Sequence, residues 1–286
     1  MLNFVAICYV STSLIDKIRM INIKTQKEIE IMSDGGKILA SILKELTKAV
    51  RPGITTQDLD KLARELVFKP SPSAEGLGKF GAKPAFLNYN GYPATLCTSI
   101  NDEIVHGVPS NRKLAKGDLL KLDMGVLYKG FYTDSAVTVL IGGRLAFDKN
   151  TLLKKKLIKA TREALEIGIK QARSGNTLGD IGSAIQKYVE SRGLNVVRDL
   201  VGHGIGRELH EEPQVPNYGK PGEGEKLKPG MVIAIEPMVV TGDWKTKDGS
   251  DGFVFQTKDG GLAAHFEHTI AITEKGPLVL TRQAML

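Results

Sequence analysis

Two aspartates set inside an otherwise apolar stretch constrain this chain more than any other feature. Residues 118–139 read DLLKLDMGVLYKGFYTDSAVTV. Leucines and β-branched residues flank Tyr128-Lys129-Gly130, and Gly130 supplies the positive φ that a tight turn needs, so a β-hairpin is expected. With the turn centred between Tyr128 and Lys129, Asp123 and Asp134 face each other directly across the strands. Directly opposed Cβ atoms lie roughly 4.5–5.5 Å apart, where like charges repel. Burial adds a desolvation cost. A cation between the carboxylates removes both penalties. The structural alternative is a slipped register that turns one aspartate to solvent.

The 286 residues suffice for one large domain or two fused halves. The apolar share of 42% and charged share of 25% fit a folded globular protein rather than a disordered tail. A net charge of +7 suits work near an anionic surface such as RNA or a ribosome, and also suits solubility alone. Cys8 and Cys97 form neither a disulfide framework nor a C-x-x-C motif, so a reducing, cytoplasmic setting is expected. Leu2 to Val10 is apolar but about half the length of a membrane span, without the flanks of a signal peptide. Residues 1–19 are expected to be an arm outside the fold, and residues 20–286 the folded domain.

Helical spacing runs from Lys24 to Val50, with a capping box at Thr25 and Glu28, and from Gln57 to Phe68 with Thr56 as cap. A loop rich in Pro, Gly and Ser follows at 70–84. Two further amphipathic helices, Leu152 to Ala172 and Leu178 to Arg192, precede strand-like runs at Val196–Gly202, Met231–Val240, Phe253–Thr257 and His265–Thr273.

The pattern repeats once. RPGITTQDL at 51–59 and RSGNTLGDI at 173–181 each join two helices. LAKGDLLKLD, ending at Asp123, matches LKPGMVIAIE, ending at Glu236, and each acid falls six residues after its glycine. DSAVTV from Asp134 resembles EHTIAI from Glu267. Two halves, about 20–145 and 150–286, packed about a pseudo-twofold axis, bring four carboxylates to one centre.

The run VGHGIGRELHEEP, 201–213, places His203 between glycines that admit close backbone approach, with His210 seven residues on. It is neither G-x-G-x-x-G nor H-E-x-x-H, and the chain has no Walker loop. One histidine as ligand and the other as a nearby acid or base is the expectation. Four carboxylates and one imidazole form a hard donor set, unlike a cysteine-rich structural zinc site. It suits a pair of Mn, Fe, Co or Zn ions in a hydrolase.

Taken together, NGYPATLCTSINDEIVHGVP, KLDMGV with Asp134 eleven residues after Asp123, GHGIGRELHEEP, IAIEPM and FEHT closely resemble type I methionine aminopeptidases, from about Ile21 to Ile272. The resemblance implies an α+β pita-bread fold, a pseudo-twofold antiparallel sheet with two helix pairs on its outer face. It implies two divalent ions held by Asp123, Asp134, His203, Glu236 and Glu267, with Asp134 and Glu267 bridging. The implied reaction is removal of the initiator methionine from nascent polypeptides, favouring a small second residue. Glu236 is then the general base, His210 the oxyanion donor and His106 the group at the scissile amide. Tyr89, Tyr92, Cys97 and Phe253 are the implied methionine pocket, since soft and aromatic walls suit a thioether. The family is typically monomeric, with nascent N-termini as partners and transient ribosome association in prospect. No specific nucleic acid and no membrane are implied.

The chain departs from the family pattern in places. Leu209 stands where the family usually has Phe, and Phe253 where it usually has Trp. Trp244 is no substitute, because Asp243 to Gly252 reads as an inserted loop, and the 70–81 segment is unusual. Without a large insert between His210 and Glu236, the type II class is disfavoured. Two other readings compete: a prolidase or Xaa-Pro aminopeptidase of the same fold, which usually carries an additional N-terminal domain, and a non-catalytic ribosome-associated relative, which would lack metal ligands.

Overall fold

The computed structural model describes residues 20–68, 81–142 and 149–282. The expected arm at 1–19 and most of the 70–84 loop lie outside the described residues. The described residues form four α-helices, α1 (Gln26–Ala49), α2 (Thr56–Phe68), α3 (Lys149–Gln171) and α4 (Leu178–Ser191). Thr25 caps α1 as expected: its hydroxyl accepts from Glu28 N at 3.3 Å, and the Glu28 carboxylate accepts from Thr25 N at 2.9 Å. For α2 the cap is Thr55 rather than Thr56. Thr55 Oγ1 accepts from Asp58 N at 3.0 Å, and Asp58 accepts from Thr55 N at 3.1 Å. With two threonines in a row, the acid three positions on selects the first.

The repeat is built into the backbone. Thr55 bridges Lys113, and Thr177, the cap of α4, bridges Lys226. Gly53 N donates to Leu114 O at 2.8 Å, and Gly175 N to Leu227 O at 3.0 Å. Gly117 N reaches Ile141 O, and Gly230 N reaches Ile272 O, both at 2.9 Å. Similar sequence at matched positions thus makes the same turn contacts twice.

The centre of the main nine-stranded sheet runs Leu119–Tyr128, Phe131–Leu140, Glu267–Thr273, Val232–Ile235, with antiparallel neighbours. The halves meet where Glu267 pairs with Ala136 and His268 with Ser135. Alternation along each strand separates two faces. Leu120, Leu122, Met124 and Val126 pack with Leu39, Leu43 and Leu59 of α1 and α2. Ile270 and Ile272 pack with Leu165 and Ile185 of α3 and α4. Asp123 and Glu267 therefore point to the other face.

The hairpin register differs from expectation by two residues. Lys129 and Gly130 both have positive φ, 48° and 83°, and form a two-residue turn that pairs Tyr128 with Phe131. Asp134 consequently opposes Gly125, and Asp123 opposes Ala136. A shift of two preserves the face, so the aspartates are diagonal neighbours on one surface. A Cβ at Gly125 would lie 2.8 Å from Ala85 Cβ and 3.0 Å from Phe86 Cε1, which explains the glycine opposite Asp134.

Four further expectations are corrected. Met231–Val240 is not one strand: Val232–Ile235 belongs to the main sheet and Met238–Val240 to a small one with Ala263–His265 and Asn195–Val196. Pro237, lacking an N–H, falls in the break, and Glu236 sits just before it. The run expected as His265–Thr273 breaks likewise at Phe266. Within the supposed inserted loop, Thr246–Asp248 is a strand paired with Phe255–Thr257. Val196–Gly202 contributes only the ends of two short strands, Asn195–Val196 and Gly202–Gly204.

Candidate active site

The residues predicted as ligands converge on one cavity. Asp123, Asp134, His203, Glu236 and Glu267 line it together with His106 and His210. Ligand atoms of Asp134, His203 and Glu267 all lie within 4.8 Å of one another, a grouping able to hold a metal ion. Asp123, Asp134 and Glu267 are only 7%, 4% and 2% exposed, so water does not screen their mutual repulsion. Asp123 Oδ1 has no hydrogen-bond partner. Burial, then the negative charges of its neighbours, raises the proton affinity of Asp123, Glu236 and Glu267. Burial also raises that of Asp134, against the pull of the Ser135 N–H. This is the electrostatic signature of a donor set suited to a cation.

The histidines are neutral. Burial lowers His203 and His106 to about 4 and drives His210 well below its ordinary value. His203 Nδ1 lies 2.9 Å from the Gly204 carbonyl, which can only accept, so the proton sits on Nδ1 and Nε2 keeps a free lone pair. That Nε2 is 3.6 Å from Glu236 Oε1. The His203 and His210 rings meet edge-on at 4.2 Å, and His210 Nδ1 shares a 2.8 Å hydrogen bond with Tyr89 OH. His106 adopts φ 62°, costly for a non-glycine residue and held by its surroundings. The next residue, Gly107, has no room for a side chain, because a Cβ would lie 2.3 Å from Thr98 O. Its N–H donates to Ser99 Oγ at 3.0 Å, and its carbonyl accepts from Tyr92 OH at 3.0 Å.

Neutral buried imidazoles fix a sign for pH dependence. The unfolded chain protonates His106 near its ordinary value of 6.5, whereas the folded chain resists down to about 4. Stability from this group is full above 6.5 and is lost as pH falls towards 4. Measured against His106→Leu in urea, the wild type is expected to lose up to about 1.4 kcal/mol per pH unit in that window. A difference that stays constant from pH 7 to 4.5 contradicts the neutral-histidine assignment.

The apolar wall of the cavity involves most of the residues expected there. Tyr89, Tyr92 and Cys97 line the cavity, as do Phe86 and Leu209. Phe253 is not on the lining; it packs edge-on against Tyr92, with ring centroids 5.4 Å apart. Burial and Asp123 push the Cys97 thiol up, so it is an unreactive, soft surface. Phe86 was missed; its signal was its place three residues before Tyr89, on the 3-10 turn Tyr89–Gly91. His265 was missed as well. Its Nε2 lies 3.5 Å from Glu236 Oε2, and neither ring nitrogen has a hydrogen-bond partner. Its position two residues before Glu267 was the available hint.

A pseudo-twofold α+β sheet that gathers buried carboxylates and neutral histidines defines a metallopeptidase, and the comparisons agree. Metallopeptidase family M24 matches residues 30–274, and the chain belongs to that family. Within it, the chain is 48% identical to a methionine aminopeptidase of Clostridium acetobutylicum, over 92% of this chain and 99% of that protein. The crystal structure of methionine aminopeptidase from Thermotoga maritima superposes with a TM-score of 0.83 at 46% identity, covering 92% of this chain and all of that one. A prolidase from Pyrococcus furiosus shares the fold at 23% identity and TM-score 0.68; the match covers 94% of this chain and 67% of the prolidase.

Proposed function

We propose that this metallopeptidase removes the N-terminal methionine from polypeptides. The observation that carries it is the convergence of Asp134, His203 and Glu267 within 4.8 Å, in a cavity shared with Asp123, Glu236 and two further histidines. Asp123, Asp134, His203, Glu236 and Glu267 would hold two divalent ions, and this hard donor set fits Co, Mn, Fe or Zn. Such a pair supplies a water acidified towards neutrality and a positive clamp for the carbonyl under attack.

The protein's own groups do the rest. Glu236 lies between two neutral imidazoles, 3.6 Å from His203 Nε2 and 3.5 Å from His265 Nε2. It takes the attacking water's proton on a carboxylate oxygen. His210, oriented through Nδ1 by Tyr89, donates to the developing oxyanion, an interaction often worth ~3–4 kcal/mol. His106 contacts the scissile amide and helps protonate the leaving amine, which receives the proton that Glu236 took from the water. The free α-amino group binds on the Asp123 side, which restricts cleavage to chain ends. Phe86, Tyr89, Tyr92, Cys97 and Leu209 enclose the methionine side chain, with Phe253 backing Tyr92.

The setting this implies is cytoplasmic, with a monomer meeting nascent chains and touching ribosomes briefly. Among the described residues, no helix is long and apolar enough to cross a membrane.

An assay separates this function from the prolidase alternative. Metal-loaded protein is expected to release Met from Met-Ala-Ser and to leave Xaa-Pro dipeptides intact. Cleavage of Xaa-Pro in preference to Met-Ala-Ser overturns the substrate assignment, and inertness on both supports a non-catalytic role.

A further inference from the structure

The loop carrying His210 is fastened to the segment that precedes α1. Lys24 is a buried lysine whose Nζ lies 2.6 Å from Glu211 Oε2, with both side chains only 4% exposed. The same Nζ donates to Asn22 O at 3.1 Å, and Lys24 N donates to Gly230 O at 2.7 Å, so the lysine itself is anchored. The other oxygen, Glu211 Oε1, accepts from the backbone N–H groups of Arg207 at 2.7 Å and Glu208 at 3.1 Å. One carboxylate therefore closes residues 207–211 into a ring, with His210 inside it.

The base of the ring is equally constrained. Tyr132 N donates to Gly206 O at 2.7 Å, and Ile205 N to Val232 O at 3.1 Å. A Cβ on Gly206 would fall 2.3 Å from Lys24 Cε, so the lysine stem occupies the space where a side chain would sit. Arg207 is tied to Glu28 at 2.7 Å and lies over the Phe131 ring at 4.6 Å. Neither Lys24 nor Glu211 lines the cavity.

We infer that the Lys24–Glu211 ion pair is a positioning device for His210, so that residues 22–28 set the efficiency of a site to which they contribute no reacting group. This rests on the proposed role of His210. Removing one partner of a buried pair leaves the other charge uncompensated. Glu211 then turns to water and releases the N–H groups that shape the ring. Displacing a donor by about 1 Å can cost about 10²-fold in rate.

The test is a cycle of the metal-loaded wild type, Lys24→Met, His210→Ala and the double variant, assayed for kcat and KM on Met-Ala-Ser. Lys24→Met is expected to lower kcat by about 10- to 100-fold with KM within about threefold. In the His210→Ala background the same change should cost less than about threefold, because the group it positions is gone. Lys24→Arg should restore most of the lost kcat. Mn affinity, measured by calorimetry, should stay within about threefold throughout. Glu211→Gln passes through the same cycle, with melting temperatures for every variant, so that the result does not depend on one variant remaining folded. Losses that multiply in the double variants, or kcat unchanged in folded Lys24→Met and Glu211→Gln, overturn the inference. A His210→Ala variant as fast as wild type overturns instead the role of His210 on which it rests.

Discussion

Asp123→Asn is expected to lower kcat by about 10³-fold or more and, in the metal-free protein, to raise stability. The two effects have opposite signs and one cause. Asp123 is buried with its Oδ1 unpartnered, beside Asp134 and Glu236. Crowded carboxylates are tolerable only when a cation shares them, so replacing one by a neutral isostere relieves repulsion and desolvation. The same replacement removes a donor on which the proposed dinuclear centre depends. The sign of the pH dependence follows. A carboxyl whose folded proton affinity is raised contributes fully below its unfolded value, ordinarily near 3.8, and loses that contribution as pH rises. The stability advantage of the Asn variant should therefore be largest at neutral pH and fade towards pH 4. Chemical denaturation with chelator at pH 7 and pH 4 checks this. A variant less stable than wild type at pH 7 contradicts the electrostatic reading, and unchanged turnover contradicts the assignment of Asp123.

Metal should act on stability as strongly as on rate. Four acids and a neutral imidazole exist as a site only in the folded chain, so an ion binds the native state and scarcely the unfolded one. Linkage then adds about 2.7 kcal/mol at a hundredfold excess over Kd and about 4.1 at a thousandfold excess. For a chain of this size that corresponds to a rise in Tm of roughly 5–15 °C. Differential scanning calorimetry of chelated protein, with Mn or Co returned in steps, should show this rise. In Asp123→Asn it should be much smaller. Equal melting temperatures with and without metal would count against a native-state metal centre.

Much of this was legible in the chain because the repeat encodes it. The turn motifs at 51–59 and 173–181 recur with the same contacts, and alternation in KLDMGV sets Asp123 on the face opposite Leu122 and Met124. What was lost was register and interruption. A turn at Lys129-Gly130 rather than one residue earlier moves every pairing by two, and no hydrophobic pattern distinguishes shifts that preserve the face. The strand breaks at Pro237 and Phe266, which pass the chain from the main sheet to the small one and back again, were hidden in continuous apolar runs. His265 escaped notice for the same reason, since its approach to Glu236 arises where those two breaks meet. The Lys24–Glu211 pair joins residues 187 positions apart, beyond any local signal. Phe253 was placed by motif alone, and its ring stands edge-on to Tyr92 at 5.4 Å.

The most direct measurement is a Mn titration of exhaustively chelated protein, with bound metal and release of Met from Met-Ala-Ser followed in the same samples. Two ions per chain, bound in the wild type and largely lost in Asp134→Asn and Glu267→Gln, with turnover rising in step, is the expected result. Methionine release that survives chelation, or metal binding indifferent to those two carboxylates, would contradict a catalytic centre built from side chains 123, 134, 203, 236 and 267.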